Sequence, residues 1–301
     1  MLIAFTTGLF SSLKRWKVAI LFAVLCATLA FRLYHLSPFA SVNYLNNQSQ
    51  GSSSSIGNKN LPPIVFYGNR NKQKVALTFD ADMTPGMKDA LLNKRVKTWY
   101  NKEAIAVLNQ THTKATLFLT GMWIELYPNE TKKLAANPLF ELGNHSYSHP
   151  SFNGVCYGLQ LVSQSEKLRE VERTQQLLKD VAGVENHLFR FPGGCSSPDD
   201  INMVNNAGLT VVEWDVVGGD GFNNNPVIIE SNILKRVQNG SIIVLHMNGT
   251  PNSPRTAEVL LSIIPTLKNR GYEFVTVSQL LRGETEQIGQ ARQDLDTNRS
   301  L

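Results

Sequence analysis

Six short runs along the chain are rich in apolar and β-branched residues: Val75–Phe79, Ala115–Thr120, Leu188–Phe191, Leu209–Trp214, Ser241–Leu245 and Tyr272–Val277. Their length and composition predict β-strands. Between them the apolar positions change period. From Ser163 to Val181 the spacing predicts an amphipathic helix, with Leu168, Val171, Leu178 and Val181 on one face and Glu166, Lys167, Arg169, Glu170, Glu172 and Arg173 mostly off it. Strands alternating with helices predict a parallel sheet, and near-continuously apolar strands predict one that is covered on the outside or closed. The pattern over residues 61–283 therefore suits an α/β fold, a distorted (β/α) barrel of about seven parallel strands. No internal sequence repeat is visible.

Outside that body the pattern differs. Residues 46–60 are a Ser/Gly/Asn tract with no apolar periodicity, so 37–60 reads as a flexible tether, and 284–301 as a polar tail. Val18–Phe31 is an uncharged apolar run preceded by Lys14, Arg15 and Lys17 and followed by Arg32. It is shorter than the roughly 20 residues a comfortable span needs, although Trp16, Leu33 and Tyr34 can extend it. Residues 1–36 are thus expected to be a membrane anchor or a cleaved signal segment. Basic residues ahead of the run put the N-terminus of a single-pass anchor in the cytoplasm and the body outside the cytoplasmic membrane; cleavage would make the protein secreted.

Charge adds one exclusion. The chain of 301 residues is 42% hydrophobic and carries a formal net charge of +5. Residues 1–60 hold five basic and no acidic residues, which leaves 24 basic against 24 acidic in the remainder. The body is neutral, so the basic balance does not point to nucleic acid.

Candidate chemistry begins at His145-Ser-Tyr-Ser-His149, which places two of the six histidines four residues apart. A helical turn or tight loop can aim such a pair at one metal ion, although two histidines at this spacing are also common as surface or packing residues. The company they keep decides between these readings. Asp80 and Asp82 follow the first predicted strand, Arg190 ends another, Asp215 and Asp220 follow the one at Trp214, and His246 follows Leu245. In parallel α/β folds the carboxyl ends of the strands open on one face, where residues far apart in sequence converge.

These positions fall into five ordered motifs: Thr78-Phe-Asp-Ala-Asp82, His145-Ser-Tyr-Ser-His149, Arg190-Phe-Pro-Gly193, Trp214-Asp-Val-Val-Gly-Gly-Asp-Gly221 and Leu245-His246. Over residues 62–282 the chain resembles the polysaccharide deacetylase family, also called the NodB-homology domain or carbohydrate esterase family 4. The resemblance implies a divalent ion, Zn2+ foremost with Co2+ or Mn2+ as alternatives, held by His145, His149 and a carboxylate. It implies Asp80 as base steadied by Arg190, His246 as acid oriented by Asp220, and Gly193, Trp214, Leu245 and Phe222 lining the substrate site, with the Gly193 N–H facing the oxyanion.

Three departures qualify that picture. The metal carboxylate of the family falls at Ala81, so Asp82 is expected to replace it through a shifted or bulged loop; otherwise the ion has two histidines and extra water. An aromatic residue of the third motif is replaced by Gly193, and the Trp after Asp220 by Gly221 followed by Phe222. The implied partner is an acetylated polysaccharide, peptidoglycan or a chitin-like oligomer, losing N-acetyl groups. An O-acetyl esterase and a non-catalytic glycan-binding protein are the alternatives. Cys156 and Cys195, just after the second and third motifs, could form a disulfide in an oxidising compartment or remain buried thiols.

Overall fold

The computed structural model describes residues 63–282. The anchor or signal segment, the tether and the polar tail expected from the sequence lie outside the described residues. Among those described, no helix is long and apolar enough to cross a membrane.

Among the described residues nine strands form one sheet: β1 (Ile64–Val65), β2 (Lys74–Ala81), β3 (Ala115–Leu119), β4 (Phe140–Asn144), β5 (Leu188–Phe189), β6 (Thr210–Val212), β7 (Val216–Val217), β8 (Ile242–His246) and β9 (Glu273–Phe274). Their order is β1-β6-β5-β4-β3-β2-β8-β7, with β9 on β2, and every paired neighbour is parallel. The path runs from β1 to β7 without closing, so the fold is a curled half-barrel rather than a complete barrel. Eight helices connect the strands: α1 (Pro85–Leu92), α2 (Lys102–Gln110), α3 (Gly121–Leu126), α4 (Pro128–Ala135), α5 (Lys167–Ala182), α6 (Pro198–Asn206), α7 (Pro226–Leu234) and α8 (Thr256–Asn269).

Strand alternation divides the core. On β2, Val75, Leu77, Phe79 and Ala81 join the large cluster shared with helical residues Leu108, Trp123, Val259 and Leu260. Ala76 turns the other way, into a smaller inner cluster with Phe118, Leu188, Val212 and Ile242. Gly143 permits this inner packing, because a Cβ there would stand 2.6 Å from the Phe118 ring. The polar positions Thr78 and Asp80 share the parity of Ala76, so polar side chains cap the inner core at the carboxyl end of the strands.

Helix α5 corrects the expected face. Its buried residues are Lys167, Val171, Thr174 and Leu178, whereas Leu168 is 39% exposed. Residue 167 lies closer than 168 to the axis of the Val171/Leu178 stripe, so the lysine stem takes the inward place. Its ammonium is matched by buried Asp200 at 2.6 Å, and Asp200 also completes a capping box with Ser197 at the start of α6.

Candidate functional site

Strand geometry brings Asp82 to the side of the candidate site, and no bulge is required. β2 stays in unbroken register with β3 through Ala81↔Leu119 and with β8 through Asp80↔His246. Residues two apart on an extended chain face the same way, so Asp80 and Asp82 share a side while Ala81 points into the helix-facing core. Beyond the strand, Asn248 holds the extension straight: its Oδ1 accepts from the Asp82 N–H at 3.1 Å and its Nδ2 donates to the Asp82 carbonyl at 2.7 Å. Asn248 was not marked by the sequence reading; its only signal is its place two residues after His246.

His145 and His149 follow β4 on a loop, not on a helical turn. Ser146 and His149 have positive φ (64° and 57°), which breaks helical geometry at two points. Glu170 of α5 holds this loop, accepting from the N–H groups of Tyr147 and Ser148 at 2.9 and 2.8 Å and from Ser148 Oγ at 2.7 Å. The periodicity of α5 had placed Glu170 among solvated charges. Helix phase shows which way a side chain leaves the helix, but not which loop will meet it.

Asp82, His145 and His149 converge. Asp82 Oδ1 lies 3.6 Å from His145 Nε2 and 3.2 Å from His149 Nε2, and all three residues are buried. The Nδ1–H of His145 donates to the Arg190 carbonyl at 2.9 Å, which leaves the lone pair on Nε2, directed at the cluster. Asp82 Oδ1 and His145 Nε2 are buried without a hydrogen-bond partner. Burial would raise the Asp82 pKa, but His149 and His145 outweigh it and hold the carboxyl well below the usual range. A buried carboxylate and two imidazoles whose ligand atoms lie within 4.8 Å of one another fit a divalent cation, and the two histidines suit a zinc-like ion.

Two polar pairs flank this cluster. Asp80 Oδ1 accepts from Arg190 Nη1 at 2.8 Å, and Arg190, fully buried, also donates to Thr78 Oγ1, Val212 O and Glu213 O. On the other side, His246 Nδ1 meets Asp220 Oδ1 at 2.8 Å, while Asp220 Oδ2 accepts from the His246 N–H and from Thr256 Oγ1. Burial disfavours the His246 imidazolium, yet the Asp220 carboxylate overrides it and pushes the pKa up to about 10. The other imidazole nitrogen, Nε2, lies 3.9 Å from Asp82 Oδ2.

With this geometry in place the relatives are informative. A sequence profile of the polysaccharide deacetylase family matches residues 67–212. The chain is 29% identical over 222 residues to a peptidoglycan-N-acetylglucosamine deacetylase of Bacillus cereus, covering 74% of this chain and 73% of that one. In sequence the chain is similar to the polysaccharide deacetylases. Its fold matches the crystal structure of the Bc1960 peptidoglycan N-acetylglucosamine deacetylase in complex with 4-naphthalen-1-yl-N-oxidanyl-benzamide, with a TM-score of 0.63, 27% identity and coverage of 73% of this chain and 93% of that one. It is also 28% identical to the peptidoglycan-N-acetylmuramic acid deacetylase PdaC of Bacillus subtilis, spanning 39% of that longer protein.

The chain departs from this likeness at the rim of the site. The turn Pro192–Gly194 carries Gly193 at φ 63°, where a Cβ would stand 2.7 Å from Cys156 Sγ and 3.0 Å from the Tyr157 ring. Cys156 and Cys195 are joined in a disulfide, which ties the loop after the histidines to this turn. Tyr157 and Phe222 pack against each other with ring centroids 5.4 Å apart, and both are largely exposed. Gly221 lies against the His246 ring, where a Cβ would be 3.1 Å from Cε1. Trp214 is half-buried, its ring 5.4 Å from the Arg190 guanidinium.

Two residues lie away from the site. Leu245 is fully buried in the helix-facing cluster and packs beneath Gly218, behind the site rather than on the groove, because its neighbour His246 takes the inward parity. Asp215 accepts from Arg70, from Ser241 Oγ and from the Ile242 N–H at the amino end of β8, opposite the reactive groups. Glu213, buried beside Arg190, carries no signal in the sequence beyond its place in a predicted strand.

Proposed function

We propose that this protein is a metal-dependent hydrolase that removes N-acetyl groups from amino sugars of an extracytoplasmic polysaccharide, peptidoglycan first. The observation that carries this reading is the placement of the Asp82–His145–His149 cluster between an Asp–Arg pair and a His–Asp pair. Amide hydrolysis needs a base, an oxyanion stabiliser and an acid for the amine, and the site offers each. Asp82, His145 and His149 would hold the ion, Zn2+ foremost. When bound, the cation supplies Lewis-acid polarisation of the acetyl carbonyl and lowers the pKa of the attacking water.

The remaining work falls to the chain. Arg190 engages Asp80 Oδ1 and fixes the carboxylate, which leaves Oδ2 to take the proton from water. The Gly193 N–H faces the developing oxyanion. As the C–N bond breaks, His246 delivers a proton from Nε2 to the amine, with Asp220 fixing the ring and its charge. Trp214 and Phe222 border the sugar. The products are acetate and a free amino sugar.

The location is part of the proposal: a body tethered outside the cytoplasmic membrane by residues 1–36 works where cell-wall glycan lies. The Cys156–Cys195 disulfide supports an oxidising compartment. The test is release of acetate and free amine from N-acetylglucosamine oligomers and peptidoglycan by the full chain loaded with zinc, cobalt or manganese. Asp82→Ala should lose both bound metal and at least ~100-fold in activity. A folded, metal-loaded protein that releases no acetate refutes the function, and product hydroxyls in place of amines would make it an O-acetyl esterase.

A further inference from the structure

Glu213 interrupts the apolar run Leu209–Trp214 and is only 3% exposed. Its backbone is bound on both sides: the N–H donates to Val65 O at 2.7 Å and the carbonyl accepts from Arg190 Nη2 at 3.2 Å. The side chain turns toward the stretch that follows Arg190. Oε1 accepts from the Phe191 N–H at 3.4 Å, and Oε2, buried without a partner, lies 3.3 Å from where a Cβ on Gly194 would sit. Gly194 has φ 69°, and both the left-handed backbone and the carboxyl behind it leave no room for a side chain.

The groups facing this carboxyl are Arg190, Asp80 and His145. One buried guanidinium thus has two carboxyls near it, and only Asp80 bonds it through its side chain. The Arg190 Nη1 hydrogen bonds go to Thr78 and Asp80, and the Glu213 carboxyl receives only the Phe191 N–H, so an ionised Glu213 would lie buried against one neutral donor, which is strongly unfavourable. Resting on the deacetylase reading above, we propose that Glu213 is a positioning residue of this enzyme: a buried, proton-bearing carboxyl that holds the Pro192–Gly194 turn and reserves Arg190 for Asp80. The Asp80 carboxylate then keeps the whole of the guanidinium charge, and the Gly193 N–H is held in place by the group behind the turn. Burial, with Arg190 opposing and Asp80 reinforcing, pushes the Glu213 pKa up to about 8, in line with a neutral side chain at pH 7.

Substitution separates this from a merely structural role. In the metal-loaded full chain, Glu213→Gln keeps a neutral hydrogen-bonding group and should retain kcat within ~3-fold. Glu213→Leu, of similar volume without an acceptor, should lower kcat at least ~10-fold while leaving KM within ~2-fold and bound metal unchanged. At pH 9 the wild type should lose activity relative to Glu213→Gln, because ionised Glu213 competes for Arg190. Should Glu213→Leu fail to fold, 13C NMR of glutamate-labelled protein reads the same point, with the signal assigned by its loss in Glu213→Gln. A protonated carboxyl at pH 7 is expected. An ionised Glu213 at pH 7, a Glu213→Gln as damaged as Glu213→Leu, or a Glu213→Leu as fast as the wild type overturns the proposal. The NMR result stands whether or not the wild type releases acetate, so failure of the function and failure of this assignment are distinguishable.

Discussion

Asp220→Asn isolates one charge in the site. Asn can place a carbonyl oxygen where Oδ1 accepts from His246 Nδ1–H, so the ring keeps its orientation, but the carboxylate that stabilises the imidazolium is gone. In the wild type the His246 pKa is pushed up to about 10. Without Asp220 the burial that disfavours the imidazolium remains and only the Asp82 and Asp80 carboxylates oppose it, so the pKa falls toward its ordinary value. At pH 8 nearly every wild-type molecule then carries the proton, against about 3% of the variant in the limit of an ordinary pKa of about 6.5, so kcat/KM should fall by up to about 30-fold if His246 is the acid. The deficit should shrink to a few-fold at pH 6, as the variant reprotonates. Fluorescamine detection of free amine on N-acetylglucosamine oligomers between pH 6 and 9 reads this directly, with bound metal measured in parallel. A variant within ~3-fold of wild type at pH 8, or a deficit that does not change with pH, would refute the role of His246 as proton donor.

The same pair sets a stability slope. The folded pKa of His246 lies above its unfolded value, so its stabilisation is complete below about 6.5 and is lost as pH rises through about 10; urea midpoints at pH 7 and 9.5 should fall in the wild type and less in Asp220→Asn. Removing the disulfide in Cys156→Ser/Cys195→Ser frees a crosslink with a sequence separation of 39 and should cost roughly 3–4 kcal/mol in urea unfolding; an unchanged midpoint would show the bridge absent in solution. Lys167→Ala strands buried Asp200 and should cost about 3–5 kcal/mol, whereas Lys167→Met/Asp200→Leu should cost only the ~1–2 kcal/mol of the lost capping box with Ser197; equal losses in the two would contradict the pairing. Gly193→Ala forces a Cβ toward the disulfide at positive φ and should cost at least 1–2 kcal/mol with slower acetate release; a neutral outcome would mean the turn can move freely.

The candidate site was legible in unequal parts. The histidine pair, the Asp80 and Asp82 carboxylates and His246 could be read because a strand end or short loop displays them locally. Even the placement of Asp82 beside the histidines needs only the period of two of a β-strand, and not the shifted or bulged loop expected from the sequence. Asn248, Glu170 and Glu213 were not legible. Each acts on a partner far along the chain, 166 positions in the case of Asn248 and Asp82, and no local pattern encodes such a pairing.

What the sequence determined alone was therefore the local menu: apolar strands, an amphipathic helix, and reactive residues placed where strands end. Periodicity follows from backbone geometry within a few residues, so it survives without knowledge of the fold. Only the tertiary structure decided that Lys167 rather than Leu168 faces inward, that Leu245 sits behind the site and Asp215 at the other end of it, and that Arg190 stands between two buried carboxyls. Those outcomes depend on strand register and helix phase across the whole sheet, where one residue of offset turns a side chain from the site to the core.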